Sequence, residues 1–289
     1  MNYIILDLEW NTALDKVSGK YVNEIIEVGA VKLNDKLKEV DRFSSFVSSR
    51  LTSKLSGRFK NLTGISNEDM LGGNTFEEVM SEFKTWAGKN TITLTWSTSD
   101  IYTLYDNFHT FMGLNSIPCI TKYVDLQKYA QAIFLRDGFD INNQISLSTA
   151  ADMLEIDYRS LALHRAVDDS RLTATIFRSV YEKRIFKEFI IDTNKKDFYK
   201  KLTFKPYIIS DINNPKINRK VMYFTCDKCG RRVERVSPWR FKGKSFRSDF
   251  VCSKCKDGFT GCITFKNCFD KVSVKKYKVR AKTLETANK

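Results

Sequence analysis

Residues 3–9 read YIILDLE, an apolar, β-rich run interrupted by Asp7 and Glu9. A strand alternates its side chains with period two, so the two carboxylates share one face while Ile4, Leu6 and Leu8 occupy the other. Two negative charges side by side on a half-buried strand repel each other and lose hydration, a cost that cores accept when a cation offsets it. A divalent metal is the simplest explanation, and an exposed strand face that happens to be acidic is the alternative for this segment alone.

Two later segments bear on that choice. Residues 91–100 (TITLTWSTSD) form a short β-rich run ending in a Ser/Thr-rich turn, after which Asp100 opens a helical stretch. Residues 163–174 (LHRAVDDSRLTA) place His164 five positions before Asp169 at the start of another helix. Together with Asp-x-Glu on a first strand, this pattern resembles the DEDDh group of 3′-5′ exonucleases, which includes the proofreading subunit of bacterial replicative polymerase, the tRNA-trimming RNase T and the histone-mRNA 3′-end exonucleases. Residues 24–33 (EIIEVGAVKL) look like the second strand of that family, and residues 61–65 (NLTGI) resemble a loop between its second and third motifs. The resemblance spans about residues 1–184 and rests on three motifs in the right order.

The resemblance implies a ribonuclease H-like α/β fold, a mixed sheet flanked by helices. It also implies that Asp7, Glu9, Asp100 and Asp169 carry two Mg²⁺ or Mn²⁺ ions, with His164 as general base. The chemistry gives this set its sense. Phosphodiester hydrolysis needs an activated water, stabilisation of charge building on the phosphoryl group, and stabilisation of the departing 3′ oxygen, and two metals can serve both oxygens. Hard oxygen ligands suit Mg²⁺ or Mn²⁺. An unperturbed imidazole titrates near neutrality, at about 6.5, which suits proton transfer from water.

The chain has two histidines, and His109 lies in an aromatic-rich helical stretch that marks it as structural or surface. Asp168 adjoins Asp169 and competes as ligand. The family spacing after the histidine selects Asp169, leaving Asp168 to face away and contact backbone at the helix start. Trp10 departs from the small residue that many relatives carry after the acidic pair, and it serves either as a stacking surface for a base or as a packed core residue.

The rest of the N-terminal part reads as one α/β domain. Residues 3–9, 24–33 and 42–47 suggest a three-stranded meander, and residues 92–96 a fourth strand. Residues 75–87 carry Phe76, Val79, Met80, Phe83 and Ala87 on one helical stripe, with a capping box from Thr75 and Glu78 and a stop at Gly88. Further helices are expected over 100–112, 125–134, 146–154 and 166–181. From 185 to 220 the pattern gives way to Lys-, Asn- and aromatic-bearing sequence with Pro206 and Pro215, read as a linker whose aromatics suggest that it partly packs on a neighbour.

A second module is announced by cysteine. Six of seven cysteines follow residue 225, beginning with Cys226-Asp-Lys-Cys229 and continuing with Cys252-Ser-Lys-Cys255. Paired C-x-x-C knuckles look like a zinc ribbon over 221–270, four thiolates holding one structural Zn²⁺. A fold this small needs such a staple. Disulfides are the alternative, disfavoured in a chain with no signal peptide. Cys262 and Cys268 remain as substitutes for a nominal ligand, and Cys119 reads as a small core residue.

With 289 residues and 42% hydrophobic content, the chain can build one substantial core and a smaller module. No apolar run is long enough to span a membrane, so a cytoplasmic protein is expected. The net charge of +14 is unevenly spread. The first 180 residues hold about 19 basic and 23 acidic side chains, so the whole basic excess lies beyond them. Arg231, Arg232, Arg235 and Arg240 sit between the knuckles with Trp239, and a basic tail is expected over 271–289. Cations for phosphates and aromatics for bases suit single-stranded nucleic acid, against the alternative of a solvated basic face. The expected activity is therefore a metal-dependent 3′-5′ exonuclease on single-stranded RNA or DNA, with RNA favoured by residues 54–65. The rivals are a DNA proofreading or repair nuclease and a non-catalytic adaptor that binds nucleic acid or protein.

Overall fold

The computed structural model describes residues 1–141, 143–161 and 163–279, which divide into two compact units, Met1–Leu202 and a second that begins at Thr203. In the first unit, β1 (Asn2–Asp15), β2 (Lys20–Leu33) and β3 (Glu39–Phe46) form an antiparallel meander. The helices α1 (Gly57–Thr63), α2 (Asn67–Leu71) and α3 (Phe76–Ala87) follow, then β4 (Thr91–Thr95), α4 (Ser99–Met112), β5 (Lys122–Asp125), α5 (Leu126–Arg136), α6 (Leu147–Met153) and α7 (Ala166–Val180). A closing segment adds α8 (Lys183–Phe186), the two-residue strand β6 (Ile191–Asp192) and α9 (Phe198–Leu202). The sheet order is β3-β2-β1-β4-β5-β6, with β4 parallel to β1 and β5 parallel to β4. This is the mixed sheet expected of a ribonuclease H-like fold.

Period two on β1 assigns its faces to two helical layers. Ile4, Leu6 and Leu8 join a core with Phe76, Val79, Met80, Phe83 and Ala87 of α3 and Ile101, Leu104 and Phe108 of α4. Tyr3 and Ile5 face the opposite core, built from α5, α6 and α7 residues including Tyr129, Ala151, Leu172 and Phe177. Asp7 and Glu9 continue this second face, so the sheet surface turns from apolar to acidic along one strand. The stripe read on α3 is buried as expected, and Thr75 and Glu78 close the capping box. The meander strands run longer than their apolar runs because Asn11, Thr12, Asp15 and Lys20 extend the β1–β2 hairpin with polar side chains.

Residues 185–220 divide between the two units instead of forming a separate linker. Ile185, Phe186, Phe189 and Ile190 pack on the α7-side core, while Phe198, Tyr199 and Leu202 pack on the α4-side core. The Tyr199 hydroxyl accepts from Ile117 N at 2.8 Å, and the unit boundary falls after Leu202. Residues from Thr203 onward belong to the second unit, where Ile209 and Ile217 are buried. The aromatics of this stretch pack as their presence in the sequence suggests.

The second unit is an antiparallel sheet. The strands β7 (Tyr207–Ile208), β8 (Glu234–Arg235), β9 (Arg240–Lys242), β10 (Ser245–Val251), β11 (Gly258–Asn267) and β12 (Val272–Val279) pair in the order β12-β11-β10-β8, with β7 on β11 and β9 on β10. Its core gathers Phe224, Phe246, Phe250, Phe259, Ile263 and Phe265 around the cysteine knuckles. A Cβ on Gly261 would lie 2.5 Å from the Phe224 ring, so this strand position must be bare. The expected basic tail is, over Val272–Val279, a strand in register with β11. Its lysines lie along an edge, where charge discourages pairing with another chain. Residues 280–289 of that expected tail lie outside the described residues.

Candidate active site

The acidic centre is assembled by three elements. Asp7 pairs with Gly29 across the β1–β2 ladder, and Glu9 pairs with Glu27. Just beyond, the register shifts so that Trp10 opposes Ile25, a bulge that leaves Ile26 extra on β2. Bulges re-aim side chains beside active sites. Here it sends Ile26 into a separate small core with Leu55, Phe59, Ile65 and Met70, which anchors the α1–α2 segment containing residues 61–65.

The third contributor is α7. A Cβ on Gly29 would lie 2.2 Å from the Ala166 carbonyl carbon, so only a bare strand position lets the helix start settle on the sheet beside Asp7. Arg165, the N-cap residue, supplies no side-chain cap. Glu27 takes that role: its carboxylate accepts from Ala166 N at 3.1 Å and from the Arg165 guanidinium, with the closest approach 2.8 Å. The clamp holds the first turn, and Asp169 within it, against β1 and β2.

Oxygens of Asp7, Glu9 and Asp169 all lie within 4.8 Å of one another. Asp100 comes from the start of α4 and is buried. β4 pairs with β1 only from Asn2 to Ile5, and past that ladder the Leu8 amide donates to Asp100 Oδ1 at 3.2 Å. His164 is exposed and holds φ +67°, and its backbone N–H donates to Asp169 Oδ2 at 3.2 Å. Asp168 does not contact backbone as expected of a cap; its carboxylate instead pairs with Arg171 at 2.9 Å, which separates it from the acidic centre. His109 lies exposed near the end of α4, stacked on Tyr105. Trp10 is half-buried against the α3–α4 core.

The electrostatics follow from crowding. Burial, and then the Asp100, Asp169, Glu9 and Glu27 charges, push Asp7 well above the ordinary carboxylate range. Burial with Asp169, Glu27 and Asp100 pushes Glu9 up to about 8, against a lowering pull from Arg165. Asp100 is raised to about 7 by burial, partly offset by the amide bonds it accepts. Burial raises Asp169, while the His164 amide and imidazole pull it down. Carboxylates that resist ionisation together, with only oxygen donors among them, fit divalent cations such as Mg²⁺ or Mn²⁺.

In the second unit the sulfurs of Cys226, Cys229, Cys252 and Cys255 lie within 4.8 Å of one another. Each knuckle turns through a left-handed residue, Gly230 at φ +69° and Lys256 at φ +52°, whose amide returns to the carbonyl of the first cysteine at 2.9 Å. The Cys255 amide donates to Cys252 Sγ, and this bond leads in lowering the Cys252 thiol to about 7. Four clustered thiols with amide support fit a tetrahedral zinc. Cys262 is buried within β11 and Cys268 is half-buried beyond its end, and neither joins the cluster. Of the residues expected to touch substrate, Arg232, Arg235 and Trp239 line one cavity. Arg231 and Arg240 do not, and Arg240 lies 3.6 Å from Asp249.

Glu27, Gly29 and Arg165 were not singled out from the sequence as site residues. Glu27 and Gly29 nonetheless sit at period two from Val31 and Leu33, on the acidic face, so the pattern held the clue.

A mixed sheet with carboxylates gathered from β1, α4 and α7 defines a nuclease of the ribonuclease H-like class. Residues 4–177 match the family model RNase_T, described as Exonuclease, and the chain belongs to this family. It is 28% identical over 194 residues to the DNA polymerase III subunit epsilon of Aquifex aeolicus, covering 64% of this chain and 83% of that protein. It is 28% identical over 181 residues to the DNA polymerase III PolC-type of Caldanaerobacter subterraneus subsp. tengcongensis, covering 63% of this chain. That match spans only 12% of the polymerase's length. Among solved structures, the nuclease domain of 3'hExo, described as a DEDDh family member bound to rAMP, superposes with a TM-score of 0.52 at 23% identity, over 66% of this chain and 96% of that one. Cell-death related nuclease 4 superposes with a TM-score of 0.53 at 18% identity, over 73% of this chain and 69% of that one. The chain is thus an enzyme of the nuclease class.

Proposed function

We propose that this exonuclease shortens single-stranded nucleic acid from its 3′ end and releases nucleoside 5′-monophosphates, with RNA preferred to DNA. One observation carries the reading: Asp7, Glu9 and Asp169 converge within 4.8 Å, with Asp100 hydrogen-bonded to the same strand. These four side chains would hold two divalent cations, which when bound supply charge stabilisation for the phosphoryl group and for the leaving oxygen.

The remaining roles belong to the chain itself. His164, exposed at the entry to α7, takes the proton of the attacking water as its oxygen bonds to phosphorus. The bond from phosphorus to the 3′ oxygen breaks, and that oxygen acquires a proton from solvent. The Asp169 carboxylate accepts the His164 amide and so ties the base to a ligand. Glu27 and Arg165 keep α7 at its close approach, which matters because misplacement by about 1 Å can cost about 100-fold in rate. Trp10, one residue beyond Glu9 and half-buried, would stack on a terminal base with whatever part of its ring the α3–α4 core leaves uncovered. The four knuckle thiolates would hold one structural zinc in the second unit.

The preference for RNA rests on the resemblance of residues 54–65 to the histone-mRNA branch. DNA is the second reading, favoured by relatives whose names are DNA polymerase III. Duplicate oligomers of ribose and deoxyribose sugar, 5′-labelled and of one sequence, test both. Stepwise shortening of the labelled strand with release of 5′-monophosphates is expected, faster for RNA. Internal cuts, or label released at once from the 5′ end, would overturn the polarity, and faster loss of the deoxyribose strand would establish the DNA reading.

A further inference from the structure

The second unit contains a cavity of about 400 Å³, large enough for a small organic ligand. Arg219, Arg232 and Arg235 supply its charge, and Tyr223, Trp239 and Phe250 supply aromatic surface. Among the described residues, no carboxylate forms an ion pair with any of the three arginines. Arg219 instead donates to Asn213 Oδ1 at 2.6 Å, and Arg232 lies over the Tyr223 ring at 5.1 Å. Both contacts orient a guanidinium without neutralising it. Trp239 is half-buried, its ring edge-on to Phe250 at 5.7 Å, which props the indole while leaving part of it accessible.

We propose that this cavity binds one nucleotide of a single-stranded nucleic acid, the base stacking on Trp239 and the flanking phosphates pairing with Arg219, Arg232 and Arg235. The choice of ligand follows from two complementary parts. Unpaired guanidiniums suit phosphate oxygens, which they can meet with two parallel hydrogen bonds. An acidic peptide would use the cations but leave the aromatic surface idle, whereas a nucleic acid strand alternates phosphates with π-faces at each nucleotide. This inference rests on the nuclease reading for its substrate class and assigns a second contact point, made by side chains outside the acidic centre.

The test is binding of a labelled 12-residue oligouridylate, and of the matching oligothymidylate, to full-length Asp169→Asn protein across a salt series. The same protein carrying Trp239→Leu should bind about 5- to 100-fold more weakly with an unchanged salt slope, and Trp239→Phe should recover most of the loss. Replacing Arg219, Arg232 and Arg235 together by Gln should flatten the slope by about 1.4, since each of the two flanking phosphates left unneutralised removes about 0.7 for a single strand. An abasic strand should bind the Leu variant as well as the parent, and polyglutamate should compete weakly. Zinc content and circular dichroism establish that each variant is folded, with Trp239→Phe as the variant least disturbing to packing. Unaltered affinity and slope in folded variants, equal losses on the abasic strand, or strong competition by polyglutamate would each overturn the pocket. Turnover by the unmodified chain is measured separately, so an inactive chain counts against the nuclease reading and not against the pocket.

Discussion

Gly29 and Ala166 approach so closely that a Cβ on the glycine would stand 2.2 Å from the Ala166 carbonyl carbon. The contact joins the strand residue opposite Asp7 to the helix that carries Asp169, and the acidic centre depends on it. Gly29→Ala must push the helix start away from the sheet, because backbone atoms rather than a flexible side chain occupy the space. Overpacking of this kind costs about 1–3 kcal/mol. A lowered melting temperature with activity reduced about 100-fold is expected, the second because Asp169 parts from Asp7 and Glu9. Wild-type turnover by a folded Gly29→Ala protein would contradict the link.

The Glu27–Arg165 pair makes a separate prediction. Arg165→Leu leaves the Glu27 carboxylate, 0% exposed, without its cation. Removing one partner of such a buried pair costs about 3–5 kcal/mol, at the lower end here because Arg165 is itself partly exposed. Adding Glu27→Gln should recover part of that loss, since the amide oxygen still accepts from Ala166 while the buried charge is gone. Denaturant unfolding of the single and double variants reads the difference, and additive losses would sink the clamp.

Stability in chelator should depend on pH with a definite sign. Glu9 is raised to about 8 and Asp100 to about 7, against ordinary values of about 4.3 and 3.9. A folded-state pKa above the unfolded one favours folding below the unfolded value, and the benefit is lost as pH rises through the folded pKa. The metal-free melting temperature should therefore fall between pH 5 and pH 8.5. Added Mg²⁺ or Mn²⁺ should restore it most at the alkaline end, where cations replace the missing protons. Asp100→Asn should make the chelator profile shallower, and a flat profile for the parent protein would contradict the crowding account.

Zinc is a matter of elemental analysis. The purified chain should carry about one tightly held zinc, lost in the Cys226→Ser, Cys229→Ser double variant together with the fold of the second unit. The first unit has its own core and should keep its melting transition. Zinc-free protein with the second unit intact, or a disulfide at Cys226, would refute the assignment.

The proposed acidic centre was legible because its carboxylates obey simple periodicities. Asp7 and Glu9 break an apolar strand at period two, and Asp169 follows His164 at a family spacing. The helix over 76–87 was legible for the same reason, since its buried stripe and capping box are local. What escaped was set by tertiary pairing. β5 is four residues long, too short to announce a period. Val272–Val279 reads as a basic stretch because the partners of its lysines are distant in sequence: Lys276 bonds the Val221 carbonyl and Lys278 pairs with Asp227. The bulge at Ile26 and the approach at Gly29 exist only once β1, β2 and α7 meet. Arg165 acquires its role from Glu27, 138 positions away.

The central claim is that four carboxylates and His164 perform the hydrolysis. Its most direct test is turnover of one end-labelled oligomer by the parent chain and by Glu9→Gln, at matched pH, with Mg²⁺, Mn²⁺ or chelator. Glu9→Gln removes a ligand and relieves repulsion, so a stably folded protein that has lost about 100-fold or more of its activity is expected, and chelator should silence the parent. Full turnover by Glu9→Gln, or a parent indifferent to chelator, would contradict the account.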